Sequence, residues 1–240
     1  MKAQNAKMTY DSATMPVQIN KVPDGDDGYA RLHQAIVKGQ LLPNQRLVEL
    51  DLAETYGMGR AAVRMALARL AQEGLVVHEP NRGARVRAIS EAEAVEIYEA
   101  RAVLEGLAAR HAAKNAIRQD VTALRAICKQ MQQRHAKGDL LGMSDLNAQL
   151  HGELLRIADH QTVTRLIERL RAQQVRFQYR TILVPGRADH SLKEHRAIVE
   201  TVAAHDSDAA EAAMRKHIGN VVEALRQSAA SAHQRERSFG

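Results

Sequence analysis

Four residues of this chain have the types and spacing of a metal site. Asn147 and His151 lie four apart, in a stretch whose same helical face would carry Leu150 and Leu154. On a helix that spacing aims an amide oxygen and an imidazole at one point. His195 sits among Leu192, Ile198, Val199 and Val202, and His217 precedes Ile218 and Val221. Imidazoles set in the apolar stripes of separate helices complete such a site when the helices pack as a bundle. The chain has eleven His, so a hydrogen-bonded core or surface imidazole is the competing account of each. Arg101 raises a related question. It shares a face with Ile97, Leu104 and Ala108, and a guanidinium buried in an apolar stripe needs a partner. Glu105, four residues on, is the structural candidate.

A second group of side chains suits a polyanion. Arg60 and Arg64 lie four apart at the start of a helical stretch, with Val63, Ala66, Leu67 and Leu70 on the opposite side. An arginine fork bonds guanine O6 and N7 together, and the N-terminal end of a recognition helix is where base edges are met. Arg82, Gly83 and Arg85 follow in a strand–turn–strand pattern, with Arg85 and Arg87 alternating with Val86 to face outward as phosphate or minor-groove contacts. Two solvated arginines on a surface helix are the alternative. The charge distribution favours DNA: residues 29–88 hold nine Lys/Arg against five Asp/Glu, within a chain of net charge +6.

The elements that must position these groups follow from composition and periodicity. At 240 residues the chain fits two domains. It is 45% hydrophobic but only 3% aromatic, without Trp, which favours aliphatic, Ala-rich helix packing. The lone Cys128 excludes an internal disulfide framework and a Cys-rich zinc finger. There is no run of 18 apolar residues and no signal pattern, so a soluble, cytoplasmic protein without membrane contact is expected. Residues 1–28 lack a period and end in the turn-like Pro23-Asp24-Gly25-Asp26-Asp27-Gly28, read as a mobile arm. Helices over 29–38, 48–56 and 60–73, then strands over 75–79 and 84–88, make a winged helix-turn-helix over 29–88. From Ser90, whose pairing with Glu93 marks a capping box, about six helices run through 91–232 with breaks at Gly138, Asp159-His160, Pro185-Gly186 and Asp206-Ser207. The fold class is mainly α: a winged helix-turn-helix followed by an all-α antiparallel bundle. No P-loop, G-x-S-x-G or His-Glu-x-x-His occurs, and the bare His205-Asp206 pair falls at a helix junction, so no enzyme is expected.

Leu41-Leu42-Pro43-Asn44-Gln45-Arg46-Leu47, Leu52-Ala53-Glu54, Gly59-Arg60-Ala61-Ala62-Val63-Arg64-Met65-Ala66-Leu67, Glu73-Gly74-Leu75 and Arg82-Gly83-Ala84-Arg85-Val86 together resemble the GntR family of bacterial regulators. The resemblance implies operator contacts by Arg60 and Arg64 and a wing glycine at Gly83. Gly59 replaces the usual Ser, and Ala61-Ala62 replace Thr-Pro, which implies an altered operator. Residues 91–230 resemble the FCD effector domain of the FadR-type branch. That likeness implies a divalent metal held through Asn147-x3-His151, Glu194-His195-x2-Ile198 and His217, with Asn147 standing where Asp is usual. Three imidazoles suit zinc or nickel, and manganese is a further candidate. It also implies a carboxylate effector between Arg101 and the metal, and a homodimer on double-stranded operator DNA. The expected function is therefore a regulator whose operator affinity follows a small organic acid. The alternative is a regulator in which the metal ion is itself the signal.

Overall fold

A computed structural model describes residues 25–79 and 83–238. The first helix, α1 (Gly25–Val37), is followed by β1 (Arg46–Leu47), α2 (Glu49–Tyr56), α3 (Arg60–Gln72), β2 (Val76–Glu79) and β3 (Gly83–Val86). The three strands form one antiparallel sheet in the order β1-β3-β2, with Leu47 opposite Ala84 and Val76 opposite Val86. Alternation along the strands turns Val76, Ala84 and Val86 inward onto Leu32, Val63, Leu67 and Leu70. This core is wholly aliphatic around its centre, as the scarcity of aromatics requires.

Most of the proposed arm, residues 1–24, lies outside the described residues, as does Arg82. The end of the arm is corrected: Gly25–Gly28 is the first turn of α1 and not a linker. Gly28 is buried, and an added Cβ would meet the end of the Met58 side chain, in the turn between α2 and α3. Its small size serves close packing, and the sequence pattern cannot distinguish that use from a turn. Strand β1 went unforeseen because two residues carry no period. Of the hairpin strands, β2 begins one residue later than expected, and β3 begins one residue earlier and ends two earlier.

Six helices follow: α4 (Glu91–Asn115), α5 (Arg118–Ala136), α6 (Leu140–Ala158), α7 (Gln161–Ile182), α8 (Arg187–Ala203) and α9 (Ser207–Ser238). Helix α4 is central, packed on α6, α7, α8 and α9. Its buried Ala94, Ala108, Ala109, Ala112 and Ala113 let those helices approach closely. The Ser90 side chain caps α4 by accepting from Glu93 N at 3.1 Å. The reciprocal half of the capping box is absent, because the Glu93 carboxylate accepts instead from Arg87. Among the described residues, no helix is long and apolar enough to cross a membrane.

Helix α7 ties the two halves together. Gln173 Nε2 donates to Glu73 O at 2.9 Å and Arg169 donates to Gln72 O, at the C-terminal end of α3. Gly74 has φ +75°, and a Cβ there would lie 2.8 Å from Gln173 Nε2. Glycine is therefore needed for the left-handed turn, while a Cβ would only push aside the end of the Gln173 side chain.

Candidate metal centre and DNA-facing helix

The bundle brings His151 of α6, His195 of α8 and His217 of α9 together, although 44 residues separate the first two. One ring nitrogen from each lies within 4.8 Å of the others, and all three side chains are buried. The outer nitrogen of each ring has an acceptor. His151 Nδ1 meets Glu105 Oε2, His195 Nδ1 lies 2.7 Å from Ser191 O, and His217 Nδ1 lies 2.7 Å from Glu194 Oε2. Those acceptors fix the proton on Nδ1 in each ring and leave Nε2 as a bare lone pair. His151 Nε2 and His195 Nε2 then face each other at 3.2 Å. Two lone pairs at that separation repel unless a cation lies between them. Tetrahedral coordination with metal–nitrogen bonds of 2.0–2.1 Å places two ligand nitrogens about 3.3 Å apart.

The remaining donor fits as well. Asn147 Oδ1 is buried without a hydrogen-bond partner, one turn before His151 on α6. An orphaned buried carbonyl costs about 1–3 kcal/mol, and coordination would remove that cost. Burial holds the imidazoles in their neutral, ligating form. It lowers His151 to about 4 despite the opposing pull of Glu105. Burial also drives His195 well below the usual histidine range, reinforced by the charges of His217 and His151, and it lowers His217. Burial pushes the Glu194 carboxyl up, but the His217 hydrogen bond and the His217 and Arg187 charges outweigh it and bring it to about 2.

A small cavity of about 40 Å³ opens beside the imidazoles, lined in part by Tyr98, Arg101, Asn147, His151, Arg187 and His217. Arg101 lines it as expected, and its Nε and Nη2 both donate to Glu105 Oε1, at 2.8 and 2.6 Å. Glu105 thus holds Arg101 through one oxygen and His151 through the other. Burial raises its pKa, but the charges of Arg101, His151 and Arg171 hold the carboxyl well below its ordinary value. Arg187 escaped the sequence reading. It is buried at the start of α8, its Nη2 pairs with Glu194 at 2.8 Å, and its Nη1 is buried in the cavity wall without a partner. Two carboxylates, Glu105 and Glu194, face the guanidiniums of Arg101 and Arg187, with the charge of Arg171 also acting on Glu105. A divalent ion on three neutral rings would therefore keep its full charge for an anionic ligand.

In the N-terminal half, Arg60 and Arg64 are exposed on α3. Gly59 N-caps that helix in extended geometry without a side-chain bond. Arg64 Nε is held by Glu49 Oε2 at 2.9 Å on the open surface. Gly83 is exposed at the start of β3 with φ +84°. Arg85 turns outward as alternation requires, but it already pairs with Glu79 and donates to Asn44 O. Arg87 departs from expectation. It points to the bundle, bonding Glu93 and Gln173 Oε1, because the chain passes directly from β3 into α4. His205 Nδ1 lies 2.8 Å from Ala113 O and Asp206 accepts from Ala209 N, so that pair serves a helix junction.

Comparison with known proteins agrees with this division. Residues 26–86 match the bacterial regulatory proteins of the gntR family, and residues 96–220 match the FCD domain. The HTH-type transcriptional repressor RspR of Escherichia coli K12 is 28% identical over 220 residues, covering 92% of this chain and 95% of that protein. The repressor GlaR of the same strain is 26% identical over 212 residues, covering 85% and 96%. Among solved structures, E. coli McbR/YncC superposes with a TM-score of 0.73 at 21% identity, covering 85% of this chain and 97% of that one. These relatives are transcription regulators and not enzymes.

Proposed function

Because the chain belongs to the gntR family of bacterial DNA-binding regulators and carries its FCD domain, we propose that it is a repressor released or engaged by a small carboxylate. The carboxylate binds beside a divalent metal ion in the helical bundle. His151, His195 and His217 hold the ion through Nε2, with Asn147 Oδ1 as the fourth protein donor. The Nη1 of Arg187 receives the effector carboxylate, and Arg101 steadies that wall through Glu105. The protein acts as a homodimer on paired operator half-sites, with Arg60 and Arg64 at base edges and Arg82, Gly83 and Arg85 along the backbone. Repression is carried over from the named relatives. The observation that carries the site is the convergence of three buried imidazoles beside a cavity whose wall holds the orphaned Asn147 oxygen and an unpaired guanidinium nitrogen of Arg187.

The test is thermal unfolding of metal-loaded and chelator-stripped protein against mono-, di- and hydroxycarboxylates and sugar acids. A ligand at a hundred times its Kd adds about 2.7 kcal/mol, or roughly 5–10 °C for a chain of this size. A shift that vanishes on stripping supports metal-assisted acid sensing. A large metal shift with a silent panel, and operator binding that follows metal alone, would replace this reading with metal sensing. Metal content of His195→Ala and His217→Ala, measured by mass spectrometry, should fall to a small fraction of wild type. Full occupancy in both would refute the metal assignment.

A further inference from the structure

Helix α3 has a sharply divided surface. Val63, Ala66, Leu67 and Leu70 are at most 2% exposed against the winged core. On the open side, Arg60, Ala61, Arg64, Met65, Ala68, Arg69 and Gln72 are all exposed. At 100° per residue, Arg60 and Arg64 mark one edge of this open arc and Met65 lies toward the other. Between them lie Ala61 and Ala68 and, in the last turn of the helix, the exposed Gln72. Met65 is 62% exposed, more than any other large hydrophobic residue in the described chain. Nothing among the described residues covers it, and it shares its surface with two arginines whose charge suits a polyanion.

We infer that Met65 is a specificity residue that reads a thymine methyl group in the major groove, beside bases read by Arg60 and Arg64. This rests on α3 being the operator-reading helix. A helix in the major groove meets hydrogen-bonding edges everywhere except at the C5-methyl of thymine, the one apolar group the four bases present there. The alanines at 61 and 68 offer neither donor nor acceptor and keep the backbone close to the base edges. An unbranched, polarizable thioether then reaches the methyl and excludes water from it. The reader of a polar base edge would need a hydrogen-bonding side chain, and from Arg60 to Ala68 the arc between the two arginines and Met65 has none.

The experiment uses the full chain and a random-core duplex DNA library to obtain the enriched operator, followed by replacement of each dT by dU in turn. This removes one methyl group and leaves every hydrogen-bonding group in place. At one thymine, wild-type binding should weaken about fourfold, the worth of one buried methyl group. Met65→Ala should bind the dT and dU duplexes equally, whereas Met65→Leu should retain the preference for dT. Arg64→Ala should weaken binding to both and preserve their ratio. Unchanged melting of Met65→Ala would confirm that the loss lies at the DNA surface. Equal wild-type binding to every dU duplex overturns the proposal, as does a dT preference that survives in Met65→Ala. If no sequence is enriched at all, the operator-reading role of α3 fails first and this inference falls with it.

Discussion

Replacing Glu105 by Gln tests two roles with one atom change. Glu105 is 3% exposed and carries Arg101 on one oxygen and His151 on the other. The amide keeps the shape but removes the charge that faces the 7%-exposed guanidinium of Arg101. Breaking one side of a buried pair typically costs about 3–5 kcal/mol. For a chain of 240 residues that lowers Tm by about 6–20 °C. The same change weakens the anchor of the His151 ring, and loss of such an outer partner costs about 10–100-fold in metal affinity. Calorimetry in chelator isolates the first effect, and competition with a chromophoric chelator measures the second. In the double variant Arg101→Met with Glu105→Gln, most of the stability should return, since the buried charge is gone, while metal affinity stays low. A Glu105→Gln protein with unchanged melting and unchanged metal affinity would refute both roles. Recovery of metal affinity in the double variant would show that Glu105 acts on the site only through Arg101.

Three further outcomes are expected. Arg64→Ala should cost about 1–3 kcal/mol of operator binding, read by titrating labelled duplex, and an unchanged Kd in a well-folded variant would remove Arg64 from the base-reading set. Arg187→Met should abolish the carboxylate-induced thermal shift while leaving bound metal near wild type, and a persisting shift would place the effector elsewhere. Tyr29 donates to Glu73 Oε2 at 2.7 Å, and burial, then the Glu73 bond and charge, raise it from 10.0 to about 12. The folded state therefore holds this proton more tightly than the unfolded chain. Its stabilising effect is complete below pH 10 and is lost as pH rises through about 12. The stability gap between wild type and Tyr29→Phe in urea unfolding should narrow over that range, and a constant gap would refute the assignment.

The helical frame could be read from the sequence because its signals are local. Apolar spacing sets the helices, and Gly138 and Pro185-Gly186 interrupt them where the observed helices α5 and α7 end. His151, His195 and His217 stood out because an imidazole in an apolar stripe is visible without coordinates. Arg187 was missed because it opens α8 directly after Gly186, where no periodic stripe yet marks an inward face. Its importance lies in one unpaired nitrogen, a property of packing alone. Glu105 was legible as the partner of Arg101 four residues away, but its bond to His151 spans 46 residues and depends on how α4 meets α6. Arg87 was misread because strand alternation gives the face of a side chain but not what packs on that face.

Helix α7 has a consequence for the energetics of signalling. Thr181 and Ile182, at its end, form part of the cavity wall, while Gln173, eight residues earlier, grips the end of α3. Those points are about 12 Å apart along a helix that transmits displacement with little compliance. On the proposed reading of the cavity and of α3, a ligand that shifts Thr181 or Ile182 pulls on the seat of α3, which links the two occupancies. Thermodynamic linkage makes that traffic two-way: whatever factor the ligand imposes on operator affinity, the operator imposes on ligand affinity. Protein already on DNA and protein free in solution would then respond at different ligand concentrations, offset by that same factor.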